Sequence, residues 1–304
     1  MMARRAFIVN SAGGRPAASG IGGASPQSGA PSSDAEAKSG YAQVNGLRLY
    51  YEICGGAGTP LILMHGGIGS IEMFSSILPA LASRRKVIAV DLQGHGRTAD
   101  TDRPLSYEAM ADDIAGLLKH LGIEKADVMG YSLGAGVAVR TAARYPGAVR
   151  KLVVVSVPYR RDGWHADILP HMARIGPEMA EQMKPSPLYQ TYARVAPRRE
   201  DWTRLVVKVG ALVNTDYDWS KDVSVIQSPT MLVFGDADSV RPEHAVEFFK
   251  LLGGGQRDGG WDGSGISKAR LAFLPGATHY NICAQPALVA TVAPFLDAAP
   301  SDAK

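Results

Sequence analysis

The stretch Asp127-Val128-Met129-Gly130-Tyr131-Ser132-Leu133-Gly134-Ala135-Gly136-Val137-Ala138-Val139 decides how the rest of the chain is read. Its first residues form a short apolar run of strand character, and the residues from Gly134 onward have helical periodicity. Gly130 and Gly134 flank a tight turn, where small residues let strand and helix crowd together. Such a bend lifts the Ser132 hydroxyl above a sheet and aims a helix N-terminus at it. A serine that merely caps a helix would read the same way. A reactive serine therefore needs a base, an orienting acid and a place for negative charge elsewhere in the chain.

Outward from this turn the pattern repeats. Residues 41–53 alternate around Asn45-Gly46, a hairpin signal. The runs 60–67, 86–94, 126–132 and 149–157 are short and nearly continuously apolar, as in parallel strands buried on both faces. Residues 70–83, 106–122 and 133–147 between them carry helical periodicity. The rhythm breaks from about Pro158 to Ser228, resumes with strands in 229–238 and 268–279, and ends in a helix from Pro286. The expected plan is a core of residues 41–157 and 229–300, with a cap inserted at 158–228 beyond the carboxyl ends of the strands. The Gly-rich segment 253–265 reads as a flexible insertion between a helix and a strand. It lacks the glycine order of a phosphate-binding loop.

The base is expected at His279, in Leu274-Pro275-Gly276-Ala277-Thr278-His279-Tyr280, just past a strand on the same sheet edge as Ser132. The acid is expected at Asp238, with Asp236 more suited to bonding backbone amides. The amides of Gly67 and Leu133 are the candidate donors to an oxyanion. His65 reads as a loop brace, and Asp91, Gly94, His95 and Gly96 as a braced turn. A metal held by His65, His95 and Asp91 has no ligand motif behind it. Met64, Ile68, Met73, Tyr131, Trp164 and Trp219 are the candidate walls of an apolar substrate pocket.

The segments His65-Gly66-Gly67, Asp91 to Gly96, Gly130 to Gly134, Gly235 to Asp238 and Thr278 to Tyr280 occur in an order that resembles the α/β-hydrolase superfamily. They are most similar to its carboxylesterase, haloperoxidase-like and enol-lactonase-like branch. The resemblance runs from about Tyr41 to Ala299. It implies an α/β fold: an eight-stranded, mostly parallel sheet with helices on both faces and a small helical cap. It also implies Ser132 as nucleophile, Asp238 as acid, His279 as base and oxyanion donors at Gly67 and Leu133, without metal or organic cofactor. Branches with an aspartate nucleophile, the haloalkane dehalogenases and soluble epoxide hydrolases, are disfavoured by Ser132.

Composition sets outer limits. The chain has 304 residues, 46% hydrophobic and 20% charged, enough for one large core plus an insertion. The net charge is +3, and no Lys/Arg run approaches a nucleic-acid stripe. Cys54 and Cys283 share no metal or redox spacing and read as free thiols of a reducing compartment. No run approaches the 18 or so apolar residues that a membrane span needs. Residues 1–40 are mostly small and polar, and disorder is expected there. The basic start leaves N-terminal targeting open beside a cytoplasmic location. The function read from all this is hydrolysis of small to medium, mainly apolar esters by a monomer or homodimer. Lactone or carbon–carbon bond hydrolysis are the alternatives. Arg160, Arg161, Arg194 and Arg198 would matter if the substrate carried a carboxylate. A ligand receptor built on the same shell is the reading from a different class.

Overall fold

Asn45 and Gly46 turn the chain back on itself with φ of +49° and +78°, the left-handed pair that a two-residue type I′ hairpin requires. They join β1 (Lys38–Val44) to β2 (Leu47–Cys54), paired antiparallel from Val44↔Leu47 out to Lys38↔Ile53. The computed structural model describes residues 38–299. The tail expected to be disordered lies outside the described residues, except that Lys38 to Gly40 open β1 rather than belonging to a tail.

Six further strands complete the sheet: β3 (Leu61–Met64), β4 (Val87–Asp91), β5 (Ala126–Tyr131), β6 (Val149–Val155), β7 (Thr230–Ala237) and β8 (Ala269–Thr278). The order is β1-β2-β4-β3-β5-β6-β7-β8, antiparallel at the β1 and β2 edge and parallel from β4 onward. Because side chains alternate along a strand, each parallel strand feeds two cores. Ile62, Met64, Ile88, Val90, Val128, Leu152, Val154, Leu232 and Phe234 face one core. Leu61, Leu63, Val87, Ala89, Met129, Val153, Val155 and Val233 face the other. Burial on both faces is why these strands read as continuous apolar runs.

The first face is covered by α2 (Tyr107–His120), α3 (Leu133–Arg144) and α9 (Pro242–Leu251). The second is covered by α1 (Leu78–Ala82) and α10 (Pro286–Asp297). Residues 70–83 do not form the single helix that their periodicity suggests. A 3₁₀ turn at Ile71–Phe74 precedes the five-residue α1. Pro79 is the reason: without an amide hydrogen it is best placed in the first turn of a helix, and here the helix starts beside it.

Between β6 and β7 lies the helical cap: α4 (Leu169–Ala173), α5 (Pro177–Gln182), α6 (Pro187–Val195), α7 (Trp202–Asn214) and α8 (Ser220–Ser224). Trp202 is its buried pin, donating its indole N–H to the Ala180 carbonyl at 2.8 Å. Bridges Arg160↔Asp218 and Trp164↔Val240 stitch its base to itself and to the core. Lys208 and Arg204 of α7 both pair with the buried Asp100 at 2.7 Å. The Gly-rich segment does lie between α9 and β8, with Trp261 fully exposed.

Candidate active site

Ser132 occupies the turn between β5 and α3 with φ +52° and ψ −118°. Non-glycine residues adopt such a backbone only where the surroundings enforce it. Here the Ser132 amide donates to Val155 at 2.8 Å and the Gly134 amide to His65 at 3.1 Å. A Cβ on Gly130 would lie 2.1 Å from the Gly134 carbonyl oxygen, and one on Gly134 would lie 2.4 Å from that of His65. The serine makes no capping bond to its own helix. Its Oγ lies 3.0 Å from His279 Nε2. The helix-cap alternative is therefore set aside.

His279 follows β8. Its Nδ1 is 3.2 Å from Asp238 Oδ1, and its carbonyl accepts the Tyr131 hydroxyl at 2.5 Å. Asp238 follows β7 and also accepts from Ser156 Oγ (2.6 Å), the Gly235 amide (3.0 Å) and the Val240 amide (3.2 Å). Burial pushes its carboxyl up, but the bonds from His279, Ser156 and Gly235, with the imidazole charge, pull it down by more, and the net shift is below the ordinary carboxylate value. Asp236 is exposed and accepts from the Gly276 amide at 2.8 Å, so it ties the ends of β7 and β8 together. Ser156 touches the Asp238 oxygen that His279 leaves free. It braces the acid, while Ser132 faces the imidazole.

The loop after β3 is fixed by buried rings. His65 Nδ1 lies 2.7 Å from the Gly66 carbonyl, which also accepts the Gly69 amide at 3.2 Å. A trans peptide sets N–H opposite C=O. Anchoring the Gly66 carbonyl thus turns the Gly67 amide the other way, and Gly67 lines the same cavity as Ser132 and Leu133. Neither the Gly67 nor the Leu133 amide donates to another group among the described residues. His65 Nε2 accepts from Leu92, and His95 Nε2 accepts from Ile68, whose φ is +60°. Burial lowers the two rings to about 4 and about 3, so both are neutral. With His95 Nδ1 bound to the Gln93 carbonyl, all four ring nitrogens are committed inside the loops, leaving none for a metal. Asp91 accepts from the Ile71 and Arg97 amides, and completes the braced turn.

Comparison with known proteins agrees with this geometry. The model of a family described as alpha/beta hydrolase fold matches residues 59–258. The chain belongs to the α/β-hydrolase family. It is 37% identical over 116 residues to the dihydrolipoyllysine-residue acetyltransferase component of the acetoin cleaving system of Pseudomonas putida. That match takes in 38% of this chain and only 31% of the relative. It is 30% identical over 254 residues to RutD of Azorhizobium caulinodans, named as a carbamate hydrolase, covering 79% of this chain and 91% of that one. The carboxylesterase CesB of Bacillus subtilis superposes with a TM-score of 0.66 at 22% identity, covering 86% of this chain and 92% of that one. That likeness is one of fold. As an α/β-hydrolase the protein carries a Ser-His-Asp arrangement suited to ester or lactone hydrolysis through an acyl-enzyme.

Above Ser132 this hydrolase encloses a cavity of about 590 Å³ between core and cap. Ile68, Met73, Tyr131 and Trp164 line it. Met64 and Trp219 do not. Met64 is the last residue of β3 and points into the core beneath α3, wholly buried. Trp219 packs edge-on to Tyr107 and stacks on Tyr217 at 4.3 Å, bracing the cap base. The remaining wall is largely cap: Met172, Ile175, Met179, Leu188, Val209 and Val213. Neither arginine nor lysine is among the lining residues. Arg160 pairs with Asp162, Arg198 with Asp201, and Arg161 reaches Asn214. Among the described residues no helix is long and apolar enough to cross a membrane, and both cysteines are free.

Proposed function

We propose that the protein hydrolyses neutral carboxylic esters with small to medium, mainly apolar acyl groups, using Ser132 as nucleophile, His279 as base and Asp238 as the orienting acid. One observation carries the reading. The Ser132–His279–Asp238 relay opens into an apolar cavity without a cationic side chain. His279 Nε2 takes the Ser132 proton as Oγ attacks the acyl carbon. The Gly67 and Leu133 amides receive the charge on the carbonyl oxygen, which collapses as His279 protonates the leaving alcohol. Water then gives its proton to the same nitrogen, adds to the acyl carbon and frees Ser132 with the acid. Asp238 stays ionised, supported by its four donors, and stabilises the imidazolium. On this reading residues 158–228 are the segment that selects the substrate, and a lactone is the same bond in a ring.

The test is turnover of p-nitrophenyl butyrate by purified protein. Ser132→Ala is expected to lower kcat/KM by about 10⁴-fold or more. A phosphonate ester is expected to label Ser132 alone by peptide mass spectrometry. Undiminished turnover by Ser132→Ala would remove the mechanism. A single slow acylation without turnover would instead indicate a ligand receptor, and faster attack on matched lactones would move the substrate class.

A further inference from the structure

Tyr107 is the first residue of α2, placed there by Ser106, whose side chain accepts the Ala109 amide at 3.1 Å. Its ring is clamped. Trp219 lies 5.0 Å away at 82° and Tyr217 at 6.0 Å. On the α3 side the ring presses so close that a Cβ on Gly136 would come within 2.4 Å of Tyr107 Cε1. Tyr107 is only 7% exposed, and it lines the cavity above Ser132. Its hydroxyl has no hydrogen-bond partner among the described residues, whereas those of Tyr50, Tyr131 and Tyr192 have one; the Tyr159 hydroxyl also lacks one, but Tyr159 lies away from the cavity. The Tyr107 hydroxyl is not among the sealed buried polar atoms either. A buried polar group without a partner is costly, and a phenylalanine would give the same packing without that cost. The hydroxyl is thus neither bonded nor sealed, and the cavity that Tyr107 lines is where a partner for it can come from. Burial raises its pKa, so it remains a donor.

We infer that Tyr107 is a specificity-determining residue whose hydroxyl donates to an oxygen on the acyl arm of the substrate, a ketone or ether a few bonds from the scissile carbonyl. This rests on ester hydrolysis at Ser132. Gly136 lies four residues, just over one helical turn, beyond Ser132, about 6 Å along the axis of α3, and that sets the reach. The acyl arm is the one concerned, because the leaving oxygen must lie at His279. The aromatic neighbours of His279 are Tyr131, Trp164 and Tyr280, not Tyr107. The other polar side chains of the cavity are placed differently. The Tyr131 hydroxyl is bound to the His279 carbonyl, His171 and Tyr280 are exposed at the rim, and Ser239 adjoins Asp238.

The experiment compares Tyr107→Phe with the unmodified protein on p-nitrophenyl hexanoate, p-nitrophenyl 5-oxohexanoate and an acetate ester whose alcohol carries the ketone. For the 5-oxo acyl ester the variant is expected to lose roughly five- to tenfold in kcat/KM, mainly through KM, the worth of one hydrogen bond. For hexanoate and the keto-alcohol ester the change is expected to stay within about twofold. Equal loss on all three, or no loss on the oxo ester, overturns the inference while hydrolysis stands. Loss confined to the keto-alcohol ester overturns the acyl assignment. Failure of the unmodified protein to turn over any of the three removes the hydrolase reading, and this inference with it.

Discussion

Ser156 is the residue on which the acid of the relay leans. Its φ of +56° turns its hydroxyl back from the end of β6 onto Asp238 Oδ2 at 2.6 Å, within a buried pocket. A hydrogen bond to a charged partner there is worth about 1.5–3 kcal/mol. Ser156→Ala is expected to destabilise the protein by about 2 kcal/mol in urea unfolding at pH 7 and to lower kcat while KM holds. The pH dependence has a definite sign. The Asp238 carboxyl is held below its ordinary value, so its contribution is present above the unfolded carboxylate pKa and is lost as pH falls through the folded one. The gap between Ser156→Ala and the parent should narrow in that acid range. Ser132 and His279 are legible in sequence because a glycine-framed turn and a strand end are local features. Asp238 over Asp236 follows from the extra two residues that carry it past the turn. Ser156 and Tyr107 are not legible, because the partner of one is 82 residues away and the role of the other depends on having no partner.

Among the elements, α10 shows how far local pattern reaches. Its apolar periodicity announces a helix, and the helix forms even with Pro294 inside it. What finishes it comes from β6. Lys151 is almost fully buried at the foot of that strand and donates to the carbonyls of Phe295 (2.6 Å), Leu296 (3.2 Å) and Ala298 (2.6 Å). Arg150 adds a second donor to Leu296 at 2.9 Å. The last carbonyls of a helix lack partners of their own, and an ammonium there also meets the negative end of the helix dipole. Lys151→Met keeps most of the length of the side chain but removes the donor to the Phe295 and Ala298 carbonyls, leaving Leu296 with Arg150. It is expected to cost about 2–4 kcal/mol in urea unfolding, with ester turnover by the folded protein unchanged. A change under about 0.5 kcal/mol would assign the capping to Arg150 alone. In sequence the basic pair stands inside a run that otherwise reads as a buried apolar strand, and a contact between residues 151 and 295 leaves no local trace. The hairpin at Asn45-Gly46 is the opposite case, where two residues carry the whole turn.

At the scale of the whole molecule, the substrate chamber belongs neither to the sheet nor to the cap alone. The sheet edge presents Ser132 and His279, and the cap closes over them with Met172, Ile175, Met179 and Leu188. The core was legible because parallel strands buried on both faces repeat a simple pattern. The cap interior was not, because its short helices take their orientation from what they pack against. Hence Trp219 braces the cap while methionines of α4 and α5 form the wall. This division sets the selectivity. Each methylene moved from water into an apolar wall is worth about 0.8 kcal/mol, close to fourfold in kcat/KM. A p-nitrophenyl ester series is expected to climb by about that factor per carbon from acetate until the chamber of about 590 Å³ is filled, and then to fall. A carboxylate at the end of the acyl chain meets no cation among the lining residues and must be desolvated without a partner. The monoester of a dicarboxylic acid is therefore expected to lag the neutral ester of equal length by at least about 100-fold, some 3 kcal/mol. Comparable rates for the two would mean that a cationic side chain enters the chamber in solution, and the neutral-substrate reading would give way to hydrolysis of acidic esters or lactones.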